Sequence, residues 1–262
     1  MIGVFDSGLG GLSVLAAIAR ALPRADLAYL ADTAHVPYGN KDDCFIRGRV
    51  LSIGRHLVDR GCRMVVVACN TATAAAVQAL RAELAGIPVV GVEPGVKPAA
   101  QSSVTRHIAV LATESTSRSD RLARLVREHA GSVTVHIEAC PGWATRVETL
   151  NLDGAAFVTE MENRVAPLLA AGADRIVLGC THYAFLAPAL ERIVAGKAEL
   201  VDVADAVARQ VVRLAGDAVH GNARLSLMAT ANPARLHAAL PKLGLSWLSE
   251  RAKSAELAAI AA

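Results

Sequence analysis

The stretch VVVACNTATAAAV, residues Val65 to Val77, decides how this chain is to be read. A run of β-branched apolar residues stops near Cys69, polar residues follow, and alanines come next. An unbroken apolar run is what a strand buried on both faces needs, and alanine-rich sequence after it favours helix. The arrangement returns in RIVLGCTHYAFLAPAL, Arg175 to Leu190, where Cys180 follows the apolar run and precedes Thr181 and His182. A cysteine at a strand's carboxyl end, beside a helix amino end, sits where a thiolate forms most easily. Two such places in one chain imply paired chemistry.

Outward from these two elements, short apolar runs alternate with helical patterns from end to end. Strands are expected at Ile2–Phe5, Leu27–Ala31, Arg63–Ala68, Ile87–Val92, His107–Ala112, Val133–Glu138, Arg175–Gly179 and Ala198–Val203. Between them, Ser13–Ala21, Cys44–Arg60, Arg118–Glu128 and Gly154–Ala171 place apolar residues three and four apart, the period of an amphipathic helix. Continuously apolar strands separated by helices predict an α/β fold with parallel sheets covered on both faces. The repeated strand–Cys–helix element, with about four strand candidates in each half, predicts two similar α/β domains. Ligands of such sheets sit at the carboxyl ends of strands, so the active site is expected in the cleft between the domains. The tail SERAKSAELAAIAA reads as a terminal helix without chemistry.

Bulk properties narrow the function. With 262 residues, 53 % hydrophobic and 19 % charged, the chain buries a full core and is not a disordered sequence. A net charge of +3, with no block of Lys and Arg, gives no nucleic-acid footprint. No apolar run reaches the roughly 18 to 20 residues that span a bilayer, and the opening MIGVFDSG lacks a signal-peptide pattern. The five cysteines, at 44, 62, 69, 140 and 180, form no CxxC pair and no regular spacing. They predict neither a disulfide framework nor a zinc cluster. The expectation is a cytoplasmic protein with reduced thiols that binds a small molecule.

Several segments carry polar groups where a buried fold wants apolar ones. In FDSGLGGLSVL, Asp6 and Ser7 end the first strand, and glycines allow a tight turn into a helix. The segment has neither nucleotide fingerprint, yet a carboxylate at that point is placed to assist proton transfer. The loop YLADTAHVPYGNKDD holds Tyr38 and Gly39, and VLATESTSRSD holds Thr113 in what reads locally as a helix-capping cluster. Asn70, Thr71, Thr181 and His182 supply donors beside the two cysteines, and helix-start amides add more, so each place can hold a carboxylate. His182 can tune the Cys180 thiol or donate to a ligand. Two Cys and one His make a poor zinc set, and a Cys–His hydrolase leaves the second thiol unexplained. Cys140, before a proline, reads as structural, and Glu148 as one carboxylate among many.

GVFDSGLGGLSVL, ADTAHVPYG, ACNTATA, GVEPGVKPA and LGCTHYAFL, occurring in that order, resemble the glutamate racemases, cofactor-independent enzymes that make D-glutamate for bacterial peptidoglycan. The resemblance covers Ile2 to about Asp205. It implies two α/β domains, residues 1–91 plus 206–262 and residues 92–205, and a homodimer. It also implies that Cys69 and Cys180 exchange protons with opposite faces of glutamate, without pyridoxal phosphate or metal. Asp6 is similar to the group that assists the first cysteine, and Glu148 and His182 to those that assist the second. Ser7, Tyr38, Gly39, Asn70, Thr71, Thr113 and Thr181 match substrate-binding positions, as do Asp6, Cys69, Cys180 and His182. The chain departs from the family pattern at Ala112, at Ala184 and in GWATRV, where it places Trp143 and Arg146. It begins close to its first strand, so activation by a cell-wall precursor through an N-terminal extension is not expected. Two other readings stay open: racemisation of a different acidic substrate such as aspartate, and a binding role of the kind seen in relatives that inhibit DNA gyrase.

Overall fold

The computed structural model describes residues 1–216 and 220–260. Contacts divide the chain into two compact units, Met1–Val92 with Ala204–Ala262, and Glu93–Val203. The first opens with β1 (Ile2–Asp6), α1 (Leu12–Ala21) and β2 (Leu27–Ala31), then a short 3-10 turn at Tyr38–Asn40. It continues through α2 (Asp43–Asp59), β3 (Val65–Val67), α3 (Asn70–Glu83) and β4 (Val89–Gly91). The second unit contains α4 (Val96–Ser102), β5 (His107–Ala112), α5 (Glu114–Ser117), α6 (Asp120–His129), β6 (Thr134–Ala139) and α7 (Trp143–Glu148). After these come α8 (Ala155–Ala170), β7 (Arg175–Leu178), a 3-10 segment at Thr181–Leu186, α9 (Ala187–Val194) and β8 (Glu199–Val201). The chain then returns to the first unit with α10 (Ala204–Leu214), β9 (Leu225–Ala229), α11 (Pro233–Lys242), α12 (Ser246–Arg251) and β10 (Ala255–Leu257).

The alternation of strands and helices makes both sheets parallel. In the first unit the strand order is β10-β9-β2-β1-β3-β4, and in the second it is β6-β5-β7-β8. Stripped of β9 and β10, the first sheet has the same order as the second: second strand, first, third, fourth. In each, the order reverses between the first and third strands, and the crevice outside their carboxyl ends is where such sheets bind ligands. Asp6 and Cys69 stand at that point in the first unit, and Thr113 and Cys180 in the second.

Both strands at the centre of the first sheet, Ile2–Asp6 and Leu27–Ala31, are buried throughout. Val65, Val67, Ile53, Leu57 and Leu80 pack with them into one core cluster, each buried Val or Leu stabilising the fold by about 1.5–3 kcal/mol. A smaller cluster of Ile108, Val110, Leu122 and Val177 holds the second unit. The tail departs from its expected helix. Helix α12 ends at Arg251, and Ala255–Leu257 pairs with β9 as an edge strand, with Ala261 and Ala262 outside the described residues. Alanine propensity is overridden there by backbone pairing against an open sheet edge.

Candidate active site

At the first unit's switch point, Cys69 is the residue before α3, and its Sγ accepts the Ala72 amide at 3.5 Å. A sulfur that caps a helix faces the positive end of the helix dipole, which favours the thiolate. Sγ also lies 3.9 Å from Ser7 Oγ, and both residues are buried. Asp6, fully buried one position earlier, accepts the Gly8 amide at 2.9 Å. The glycines after it have a packing reason. A Cβ on Gly11 would stand 2.5 Å from that of Asp6 and 3.0 Å from the Tyr29 hydroxyl, so only glycine lets the start of α1 approach the carboxylate.

Asn70 follows Cys69 and is buried, yet neither its Oδ1 nor its Nδ2 has a hydrogen-bond partner. A buried carboxamide left open costs about 1–3 kcal/mol for each unmet group, so this side chain is poised for a polar ligand. Thr71 is buried beside it.

Tyr38, which the resemblance matches to a substrate-binding position, is tied into this unit through its hydroxyl. Its hydroxyl donates to Asp32 Oδ2 at 2.6 Å. Arg49 grips the same carboxylate with Nε and Nη2, both at 3.0 Å, and Thr230 donates to Oδ1 at 2.8 Å. Burial, reinforced by the charge of Asp32 and the bond to it, pushes the Tyr38 phenol far above its ordinary range. Burial pulls the Arg49 guanidinium down, but the hydrogen bonds and charge of Asp32 outweigh it and raise it on balance. The Tyr38 phenolic proton is therefore committed to Asp32, and the turn it forms with the half-buried Gly39 has its backbone and ring edge left for other contacts. Sequence reading missed Asp32, Arg49 and Thr230. Asp32 lies inside the ADTAHVPYG motif, where its position at a strand end was the available signal, while Arg49 looks like any exposed helical arginine.

In the second unit, Cys180 is followed by a 3-10 segment rather than a regular helix. Support comes instead from side chains: Cys180 Sγ is 3.6 Å from His182 Nδ1, and His182 Nε2 is 2.6 Å from Glu148 Oε1. All three residues are buried. Burial alone would push the imidazole down, but its hydrogen bonds to Cys180 and Glu148, with the negative charges there, hold it well above its ordinary 6.5. A carboxylate thus orients a histidine and the histidine faces a thiol, an arrangement chemically able to pass a proton. Gly179 is required just before the cysteine, since a Cβ would stand 2.6 Å from the carbonyl oxygen of Leu111.

Glu148 ends α7, and Trp143 begins it, edge-on to Tyr183 at 5.4 Å between ring centroids and to Phe157 at 5.9 Å. Tyr183 in turn donates to the Cys140 carbonyl at 3.1 Å. Cys140 is buried, and burial pushes its thiol far up, in keeping with a structural residue. The departures Trp143 and Arg146 thus lie on the helix that carries Glu148 and pack on Phe157, with the Arg146 guanidinium 5.2 Å above its ring. Thr113 caps α5 by accepting the Thr116 amide at 3.2 Å, so the local capping reading describes its geometry. Thr181 is buried next to Cys180.

Among the described residues, no three His, Cys, Asp or Glu side chains form a metal-ligating group, and no helix is long and apolar enough to cross a membrane. The sequence matches the family model for Asp/Glu/hydantoin racemases over residues 2–211. A glutamate racemase from Ralstonia nicotianae is 49 % identical over 212 residues, 81 % of this chain and 76 % of that one. The crystal structure of a glutamate racemase from Bacillus anthracis superposes with a TM-score of 0.86 at 29 % identity, covering 99 % of this chain and 97 % of that one. One from Escherichia coli, in complex with L-glutamate and the activator UDP-MurNAc-Ala, gives 0.86 at 28 % identity, covering 100 % and 98 %. Two buried thiols at matching switch points, one beside a helix start and one beside His182 and Glu148, thus accompany a match over most of the chain: it belongs to the Asp/Glu/hydantoin racemase family, in its glutamate racemase branch.

Proposed function

We propose that the protein interconverts L- and D-glutamate by two-base proton transfer at the α-carbon, with Cys69 and Cys180 as the two bases. The observation that carries this reading is the equivalence of the two cysteines: each follows the third strand of a four-strand arrangement that has the same order in both units. Racemisation removes a proton from one face of a carbon and returns one to the other. It therefore wants two groups of like pKa, one deprotonated and one protonated, serving opposite faces. An unperturbed thiol titrates at about 8.5, close enough to neutrality for modest tuning to make it useful in both roles.

The step balances simply. One thiolate takes the α-proton, the carbanionic charge spreads into the substrate carboxylate, and the other thiol delivers its proton to the opposite face. The thiol and thiolate have then changed places, which readies the site for the reverse direction. Asp6 assists Cys69, and His182 with Glu148 assists Cys180, by holding or returning a proton at sulfur. Ser7, the Tyr38–Gly39 turn, the open carboxamide of Asn70, and Thr71, Thr113 and Thr181 bind the substrate's charged ends. Donors aimed at the carboxylate stabilise the charge that develops there. The chemistry needs no cofactor. The glutamate-bound relative supports this choice of substrate. On this reading the protein works in the cytoplasm as a homodimer and supplies D-glutamate for peptidoglycan synthesis.

Proton NMR with D-glutamate in deuterium oxide, followed by chiral analysis of the product, tests the reading. Loss of the α-proton signal together with appearance of L-glutamate is the expected result. Exchange with aspartate but not with glutamate would keep the mechanism and change the substrate. Exchange with neither would overturn the reading.

A further inference from the structure

The loop after β2 runs from Asp32 to the Tyr38–Asn40 turn, and its anchors come from nearly two hundred residues away. Thr33 Oγ1 donates to the Ala231 carbonyl at 2.5 Å and accepts the Ala231 amide at 2.9 Å. Thr230 Oγ1 accepts the Ala34 amide at 3.0 Å and donates to Asp32 Oδ1 at 2.8 Å. Each hydroxyl is thus used as both donor and acceptor. The Thr230 amide extends the β2–β9 ladder with a bond to the Ala31 carbonyl at 3.0 Å. Asp32 passes the constraint on, because its other oxygen receives the Tyr38 hydroxyl and Arg49 Nε. All of these groups lie in the first unit, and Thr230 lies beyond residue 211, where the match to the family model ends.

We propose that Thr230 is a positioning residue for the substrate loop: through Asp32 and the Ala34 amide it sets where Tyr38 and Gly39 meet the ligand. The C-terminal strands, beyond the residues that the family model matches, thereby tune substrate affinity without touching the reacting atoms. The inference rests on the glutamate reading for Tyr38 and Gly39. Physically, removing one hydroxyl leaves the Ala34 N–H and one lone pair of a buried carboxylate unmet. The loop then relaxes to find other partners.

The test uses the full-length protein with Thr230→Val, which keeps the shape and loses the hydroxyl, and Thr230→Ser, which restores it. One or two kcal/mol of lost ordering corresponds to a rise in the KM for D-glutamate of roughly 5- to 30-fold. The turnover number kcat should change far less. Amide hydrogen exchange, measured without substrate, should quicken over residues 34–41 in the Val variant, and Ser should return both readouts toward the parent. Thr33→Val, which breaks the reciprocal pair with Ala231, should act in the same direction and serves if Thr230→Val does not fold. An unchanged KM and unchanged exchange, or a Ser variant as impaired as Val, would overturn the proposal. Absence of glutamate turnover by the unaltered protein would instead overturn the glutamate reading. The exchange comparison then still decides whether Thr230 orders the loop, and unchanged exchange sinks that as well.

Discussion

Cys69 and Cys180 occupy the same place in a four-strand arrangement common to both sheets, yet their surroundings differ in kind. Cys69 is supported by backbone: its sulfur caps a helix of 14 residues and receives an amide hydrogen. Cys180 precedes a 3-10 segment of six residues and is supported by side chains, His182 and then Glu148. A helix terminus offers a fixed partial charge that no pH change removes, whereas a buried imidazole offers a charge that titrates. On the proposed mechanism, one fold meets a symmetric chemical demand by two unsymmetric means.

The sharpest test of that comparison is to remove each sulfur. Cys69→Ser and Cys180→Ser should each lower racemisation by roughly 10²- to 10⁴-fold, the range of a general acid or base, in a chiral assay of both directions. A variant that keeps near-normal rates in both directions would break the equivalence of the two positions.

Next in size, Glu148→Gln should cost roughly 10- to 100-fold in kcat/KM, since a hydrogen bond to a charged partner contributes about 1.5–3 kcal/mol. The pH profile carries the sign. His182 is held charged above its ordinary range, so loss of Glu148 lets it deprotonate at lower pH, and the alkaline limb of activity should move down. Ser7→Ala, beside the other thiol, should leave that limb where it is. A shift in both variants would mean that the titrating group is not His182.

The units also differ in how each uses a buried aspartate. Asp32 stands at the carboxyl end of β2, beside the proposed site, whereas Asp174 precedes β7 at the opposite end of its sheet. Arg49→Met would leave Asp32 buried without its ion pair and should cost about 3–5 kcal/mol in denaturant unfolding. Asp174 accepts from Ser103 Oγ at 2.6 Å and from the amides of Val104 and Thr105 at 2.6 and 3.0 Å. Asp174→Asn should cost about 1–3 kcal/mol and leave kcat/KM unchanged. Burial tends to raise the Asp174 carboxyl, but these hydrogen bonds and Arg175 lower it on balance from its ordinary 3.8. Its contribution is therefore present above that value and is lost as pH falls through the lower folded value. The stability gap between parent and Asn variant should close in strong acid.

Much of the fold was readable before any coordinates. β2 and β5 coincide with the apolar runs Leu27–Ala31 and His107–Ala112, because strands buried on both faces announce themselves by continuous apolar sequence. Helices Leu12–Ala21 and Asp43–Asp59 followed from apolar spacing. Strand β9, Leu225–Ala229, was missed because its short apolar run is interrupted by Ser226, and β10 because the alanines that follow it point to helix. At the site, the convergence of Cys180, His182 and Glu148 was expected only through family resemblance. Glu148 by itself carries no signal that distinguishes it from a surface carboxylate.

The division has a physical cause. Strand and helix patterns, the two cysteines at strand ends and the glycine turns are local properties, written within a few residues, and the sequence by itself determined them. Pairings such as Thr230 with Asp32, or His182 with Glu148, join residues 198 and 34 positions apart. Which polar groups are brought together inside a water-excluding core depends on how the sheets assemble, and that was decided by the tertiary structure alone.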